Sequence, residues 1–346
     1  MPVLKLPFAN ESIQVYLPET WQVRELPIRG APALTAEQRR AAFASPLGKP
    51  RLRDLAHGKK SAAVIVEDAT RPTPTHLVVP LVVEDLLAAG VPPQNIRFFA
   101  AIAAHRTMFG YDFCTKLGTD IVDRFETYNH NFYDLLDFIG VSKLGTPIYL
   151  NSLVHRSDVK VTVGSLIPHT HAGFSGGAKT LMPGVCGAIT VQYHHTVRPR
   201  AKSDTEEIGD YRADIEDIAE ICGLDFVVDS VINEKKEIVA LLAGDFRLTH
   251  REGIKIARRI YRVPDPPEAD AAIICAYPIE CDFVQAGKGI VAGTGVRSVV
   301  ADGAVLLIAS CPEGAGHHYI GSRGMYYESF HARALARCRQ RGMEGW

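Results

Sequence analysis

The residues with the most chemical capacity fall in a few short segments. The densest is IPHTHAGFSGGAKTLMPG, residues 167 to 184, which brings His169, His171, Gly173, Ser175, Gly176, Gly177 and Lys179 close together. Glycines let backbone N–H groups approach an anion closely, as phosphate-binding loops do. The stretch Gly173 to Thr180 nearly matches G-x-x-x-x-G-K-[ST], but Ala178 stands where the second glycine belongs. No convincing magnesium-binding strand follows, so a nucleotide P-loop is set aside. The bland alternative is a structural turn with a solvated lysine, and the two histidines just upstream weigh against it. His105 and Arg106 form a second group, and Arg71, in a loop fixed by Pro72 and Pro74 in DATRPTP, a third. A guanidinium fork matches a carboxylate or phosphate in bidentate fashion, whereas Lys288, in VQAGKG, would act as a point charge. His194 and His195 form a pair. His57, His76, His130, His155, His250 and His331 default to satisfied structural histidines, and His317 and His318 stay open. There is no H-E-x-x-H, so a bound metal would take few ligands from the protein and the rest from another source.

These groups must be held by regular elements, and the grammar is that of an α/β fold. Residues 61 to 68 (SAAVIVED) read as a buried strand, 75 to 89 as a helix stopped by Gly90, and 95 to 103 as the next strand. That is a βαβ unit, which implies a parallel sheet. Strands are expected again at 147–150, 158–166 and 225–232, with helices at 210–222 and 245–263. The segment PDPPEAD, 264–270, reads as a linker. Two α/β domains follow: 1–263, which holds most of the chemically dense segments, and a smaller one over 271–346, containing ADAAIICAY and GAVLLIAS. In open α/β sheets ligands sit at the carboxyl ends of strands, where Asp68, Arg71, His105 and the 168–179 run fall. The active site is expected in the cleft between the domains.

A chain of 346 residues, 22% charged with net charge −1, has no field that draws it to nucleic acid or an anionic membrane. The basic run Arg333 to Arg341 reads as a solvated helix face. No apolar stretch has the length of a membrane span or a signal peptide. The cysteines are seven, isolated, with no C-x-x-C, which fits a reducing cytoplasm.

Several motifs together resemble the nickel-pincer lactate racemase family. They are D-x-T-R-P-x-P (Asp68 to Pro74), A-x-x-A-H-R (Ala101 to Arg106) and P-H-x-x-A-G-F-S-G-G-x-K-x-x-x-P-G (Pro168 to Gly184). His195 follows sixteen residues after the motif lysine, and Q-x-x-K spans Gln285 to Lys288. The resemblance runs from about residue 60 to 290, and its long central motif is the specific part. It implies a cofactor, pyridinium-3,5-bisthiocarboxylic acid mononucleotide, whose sulfur-bearing arms hold nickel in a pincer. By position, Lys179 would bind this nickel-pincer nucleotide covalently through a thioamide, and His195 would ligate nickel. His105 and His169 would be paired acid/base groups. Asp68, Ala69, Thr70 and Arg71, with Ser175, Gly176, Gly177 and Pro183, would line the cofactor. Arg71, Gln285 and Lys288 would hold the substrate.

The implied reaction is racemisation of a small 2-hydroxy acid. The α-carbon of such an acid is a very weak carbon acid, and oxidation to the 2-keto acid by hydride transfer avoids a carbanion. Two histidines suit two mirror-image substrates, because each titrates near neutral pH. Val284 stands where lactate racemases carry a larger aromatic residue, so malate, an aromatic hydroxy acid or a sugar acid is an alternative substrate. The chain ends about 58 residues after Lys288, so the family's returning tail is expected to be shortened. A protein that binds the nickel cofactor without turnover is the rival of a different class, and intact His105, His169 and Lys288 argue against it. A nicotinamide dehydrogenase is disfavoured by the lack of G-x-G-x-x-G after the first strand.

Overall fold

The apolar run Ala62–Glu67 forms a strand buried along its whole length, as its Val and Ile content requires of a strand covered on both faces. The computed structural model describes residues 2–9, 11–169, 171–197, 209–292 and 298–314. His317, His318, His331, Cys338 and the Arg333 to Arg341 run lie outside these described residues.

Ala62–Glu67 is the centre of a six-stranded sheet. In spatial order the strands are Ile238–Gly244, Phe226–Ile232, Val159–Ser165, Ala62–Glu67, Ile96–Ala101 and Glu126–Asn129. All pairings are parallel except that of Ile238–Gly244 with Phe226–Ile232. The sheet is covered on both sides. Val64, Val66, Phe98, Val161, Val163 and Val228 face one apolar cluster, together with Val79, Val82 and Leu86 of the Val79–Ala88 helix. Ala63, Ile65, Phe99 and Val227 face the other, with Ile215 and Ile218 of the Asp210–Ile221 helix and with Leu181, Met182 and Val191. Each such side chain fully removed from water stabilises the fold by roughly 1.5–3 kcal/mol.

The topology fixes where a ligand can sit. From Ala62–Glu67 the chain adds Ile96–Ala101 and Glu126–Asn129 on one side, then crosses to add Val159–Ser165 and Phe226–Ile232 on the other. The crevice at the carboxyl ends of Ala62–Glu67 and Val159–Ser165 is therefore the switch point of the sheet, the usual ligand position in such folds.

Several expected elements differ in detail. The 75–89 helix is a 3-10 turn, Thr75–Leu77, followed by Val79–Ala88. Pro147–Asn151 pairs antiparallel with Leu136–Val141 and stands outside the main sheet. Asp245 caps the helix Phe246–Tyr261 through bonds from Arg247 N and Leu248 N, so that helix starts one residue later than expected. Residues 262–268 form no regular element, and the next strand begins at Ala269. It pairs in parallel with Val299–Ile308 in a small separate sheet. The N-terminal hairpin, Val3–Phe8 with Glu11–Tyr16, lies against this part of the chain: Cys275 Sγ is 3.1 Å from Pro7 O, and Ala9 N donates to Glu280.

Candidate active site

Asp68 sits just beyond the Ala62–Glu67 strand, nearly fully buried. Its Oδ1 accepts from Thr70 N (2.8 Å) and Thr70 Oγ1 (2.6 Å), which closes a tight turn. Its Oδ2 accepts from His105 Nδ1 at 2.6 Å. His105 reaches this point because it follows the neighbouring strand, Ile96–Ala101. Burial alone would raise the Asp68 carboxyl, but the charge and hydrogen bond of His105, with Arg71 and Thr70, hold it below the usual carboxylate range. An ionised carboxylate only accepts, so His105 carries its proton on Nδ1 and keeps a lone pair on Nε2. Burial, with the cations Lys288 and Arg71, keeps His105 below the ordinary histidine value against the pull of Asp68.

His169 lies beyond Val159–Ser165 in a short pairing, Pro168–His169 with Gly173–Phe174. Its Nδ1 accepts from the N–H groups of His171 (3.2 Å) and Ala172 (3.3 Å). The neutral ring therefore has its proton on Nε2, opposite to His105. Burial, then Lys179, Arg71 and Lys288, hold it well below the ordinary value.

Lys179 lies in the 3-10 turn Gly177–Thr180. Burial, then Arg71, Lys288 and Arg212, bring its amine down to about 7 against a small opposing pull from Glu67. Gly176 and Gly177 both take positive φ, 76° and 57°, which glycine adopts without strain. The Ser175 hydroxyl donates to Ser165 O and accepts from Ile167 N (2.9 Å), so it ties the loop to the strand end. Ala69 and Pro183 are half-buried beside the turn and the loop.

Arg71, Gln285 and Lys288 meet. Arg71 Nη1 lies 3.1 Å from Thr70 Oγ1 and 3.5 Å from Gln285 Oε1, and Lys288 Nζ donates to the same Gln285 oxygen. Asp282 caps the short Phe283–Ala286 helix that carries Gln285. Burial and Arg71 bring Lys288 down to about 7 against Asp68 and Asp282. Val284, the neighbour of Gln285, is 40% exposed. Arg106 also reaches the C-terminal part of the chain, gripping Glu313 through Nε and Nη2, both at 2.6 Å.

In the Ala188–Val197 helix the two adjacent histidines differ. His194 is fully buried, with Nε2 donating to Tyr211 O at 2.9 Å. His195 is half-buried, and its Nδ1 donates to Val191 O at 2.9 Å. Its Nε2 therefore keeps a lone pair, which accepts from the Tyr211 hydroxyl at 2.8 Å. Burial, then His194 and Lys179, hold His195 well below the ordinary histidine value.

Four supporting residues were not singled out from sequence. Lys116, buried, donates to the carbonyls of Arg71 (2.8 Å) and Thr73 (3.3 Å) and fixes the Arg71 turn. Glu67 accepts from Thr73 Oγ1 and Ser165 N, joining the two central strand ends. Asp229 and Arg212 lie beneath the Gly176–Gly177 turn. A lone Asp inside the fully buried run FVVDSVI was the one sequence signal among these.

The chain is similar to known proteins over most of its length. A family described as "Lactate racemase N-terminal domain" matches residues 8–207. The chain is 28% identical over 280 residues to lactate racemase of Lactiplantibacillus plantarum, and 30% identical over 284 residues to that of Thermoanaerobacterium thermosaccharolyticum. These alignments cover 79% and 80% of the chain but 65% and 66% of the relatives, so the chain spans just under two thirds of their length. The lactate racemase apoprotein structure from T. thermosaccharolyticum superposes with a TM-score of 0.78 at 26% identity, over 94% of this chain and 77% of that one. A Thermotoga maritima protein at 23% identity and TM-score 0.62, over 76% of this chain and 68% of its own, shares the fold. With the matched region reaching from the N-terminal hairpin past the 168–184 loop and the paired histidines, the chain belongs to the lactate racemase N-terminal domain family.

Proposed function

We propose that this chain is an isomerase that interconverts the two configurations of a 2-hydroxy acid using a nickel-pincer nucleotide. The observation that carries the proposal is the convergence, at the switch point of the sheet, of a lysine with a lowered amine pKa, a carboxylate-oriented histidine and two further cations.

The residues present fit the cofactor. Lys179 is half-buried beside Arg71 and Lys288, so a large fraction of its amine is neutral and nucleophilic at pH 7. Its amine would hold the nucleotide covalently, as a thioamide with one thiocarboxylic arm. His195, its Nδ1–H held by the Val191 carbonyl as is typical of metal-binding imidazoles, has its Nε2 lone pair on the Tyr211 hydroxyl and would exchange that partner for nickel. Gly176 and Gly177 leave backbone where a side chain would crowd the loop. When bound, the group supplies a hydride acceptor that turns the hydroxy acid into a keto acid and back.

The remaining work falls to the protein. Arg71 and Lys288, bridged by Gln285, hold the substrate carboxylate while the keto carbon reorients. His105 Nε2 takes the hydroxyl proton from one enantiomer, with Asp68 holding the ring in the accepting tautomer. His169 presents the complementary form: its Nε2–H donates a hydrogen bond to the oxygen on the other side, and to give up that proton the ring must first take one on Nδ1 in place of the His171 and Ala172 N–H groups. The Arg106–Glu313 pair helps close the two parts of the chain over the site, with residues 264–270 as the linker between an N-terminal and a smaller C-terminal domain. The small, exposed Val284 favours a substrate larger than lactate, such as malate or an aromatic or sugar acid. A cytoplasmic site of action fits the unpaired cysteines among the described residues.

The experiment is to incubate the protein with the nickel-pincer nucleotide, measure intact mass and nickel together, and offer single enantiomers of lactate, malate, phenyllactate and gluconate followed by chiral separation. An adduct on Lys179, one nickel per chain and racemisation of at least one acid are expected. An adduct and nickel with no turnover of any acid would instead favour a cofactor-binding protein.

A further inference from the structure

The Gly176–Gly177 peptide is held from both sides by buried charged side chains. Its carbonyl accepts from both Arg212 Nη1 and Nη2, each at 3.2 Å, and its N–H donates to Asp229 Oδ2 at 2.7 Å. In a planar trans peptide the C=O and N–H point in opposite directions, so a donor on one side and an acceptor on the other fix the plane. Asp229 and Arg212 are 1% and 3% exposed. Arg212 is itself steadied by Glu216 (3.3 Å), which Arg251 grips in turn at 2.9 Å. The same two side chains fill the space beside the turn: a Cβ on Gly176 would lie 2.8 Å from Asp229 Oδ1, and one on Gly177 would lie 2.7 Å from Arg212 Nη2. The clamped carbonyl also receives the N–H of Lys179 at 3.2 Å. The peptide plane therefore sets the direction in which the Lys179 side chain leaves the loop.

We propose that Asp229 and Arg212 are positioning residues that clamp the Gly176–Gly177 peptide and thereby aim the Lys179 amine at the carbon it must attack. This rests on the reading of Lys179 as the covalent anchor. Arg212 has a second effect through its charge, since it is one of the cations that lower the Lys179 amine. A buried carboxylate with one oxygen left without a partner among the described residues is costly, and burial pushes Asp229 up to about 7, so loop closure alone is a poor account of it.

The test uses the full chain as wild type, Asp229→Ala, Asp229→Asn and Arg212→Met, each incubated with the nickel-pincer nucleotide. Native mass spectrometry reads total bound nucleotide, denaturing mass spectrometry reads the covalent fraction, and hydrogen exchange reads the Gly177 amide. Asp229→Ala should bind nucleotide as wild type does, lose protection at Gly177, and form the adduct at least tenfold more slowly. Asp229→Asn keeps an acceptor oxygen and should restore both protection and rate to within a few fold. If Asp229→Ala does not fold, Arg212→Met is read in its place, with the same split between binding and covalent capture. Adduct formation at the wild-type rate in Asp229→Ala overturns the clamp, as does parallel loss of binding and adduct without rescue by Asp229→Asn. No adduct in the wild type overturns the reading of Lys179 and the clamp with it, a result distinct from an undiminished rate in the variant.

Discussion

Replacing Lys179 with methionine removes the amine that would hold the cofactor, yet it should stabilise the cofactor-free protein. The amine titrates at about 7 in the folded chain and at its ordinary 10.5 once unfolded. Between those values the unfolded chain binds a proton that the folded chain does not, so stability falls as pH drops from 10.5 towards 7 and levels off below. At 1.36 kcal/mol per unit, the penalty is at most about 4 kcal/mol near pH 7 and about 1.4 kcal/mol near pH 9.5. Methionine keeps the apolar stem and discards the charge. Urea unfolding of both proteins at the two pH values should therefore show the variant more stable near pH 7, by up to about 3 kcal/mol more than near pH 9.5. An equal gain at both pH values, or none near pH 7, would refute the burial of an amine with a lowered pKa at this position.

The other expectations concern loading and turnover. Covalent loading of Lys179 should slow by about tenfold per unit as pH falls below about 7, because only the neutral amine attacks; mass spectrometry over a pH series checks this. His105→Ala and His169→Ala should each lower turnover by roughly 10²–10⁴. Asp68→Asn keeps one acceptor oxygen, which the Thr70 N–H and hydroxyl claim, and turns an amide N–H towards His105 Nδ1; this selects the wrong His105 tautomer and should lower turnover by on the order of 10²-fold or more with the fold intact by circular dichroism. His195→Ala should lose nickel while keeping the Lys179 adduct, whereas His194→Ala should keep nickel and lower the melting temperature; metal analysis and a thermal melt separate the two.

The strands that carry the site were legible because burial on both faces forces continuous Val and Ile runs, as in Ala62–Glu67 and Val159–Ser165. Their ends were legible too, since a carboxylate, a histidine and an arginine directly after such runs have few structural reasons to be there. The antiparallel edge, Ile238–Gly244, and the Leu136–Val141 hairpin were not, because short apolar runs say nothing about direction or sheet membership. Lys116 gave no warning: in YDFCTKLG it reads as an ordinary solvated lysine, and only the packing of its helix under the Arg71 turn buries it. Tyr211 was hidden in the same way, lying sixteen residues from the His195 ring it touches. The His105–Asp68 bond was invisible for a related reason, since it joins two adjacent strand ends 37 residues apart.

The most direct test of the hydride-transfer account uses the cofactor-loaded protein and a single-enantiomer 2-hydroxy acid carrying deuterium at C2, in ordinary water. The account predicts a primary isotope effect on racemisation and an inverted product that keeps its deuterium, because the hydrogen leaves and returns as hydride without meeting solvent. Loss of that deuterium to water, or uptake of solvent deuterium at C2 in the reverse experiment, would mean proton abstraction at carbon and would contradict the account.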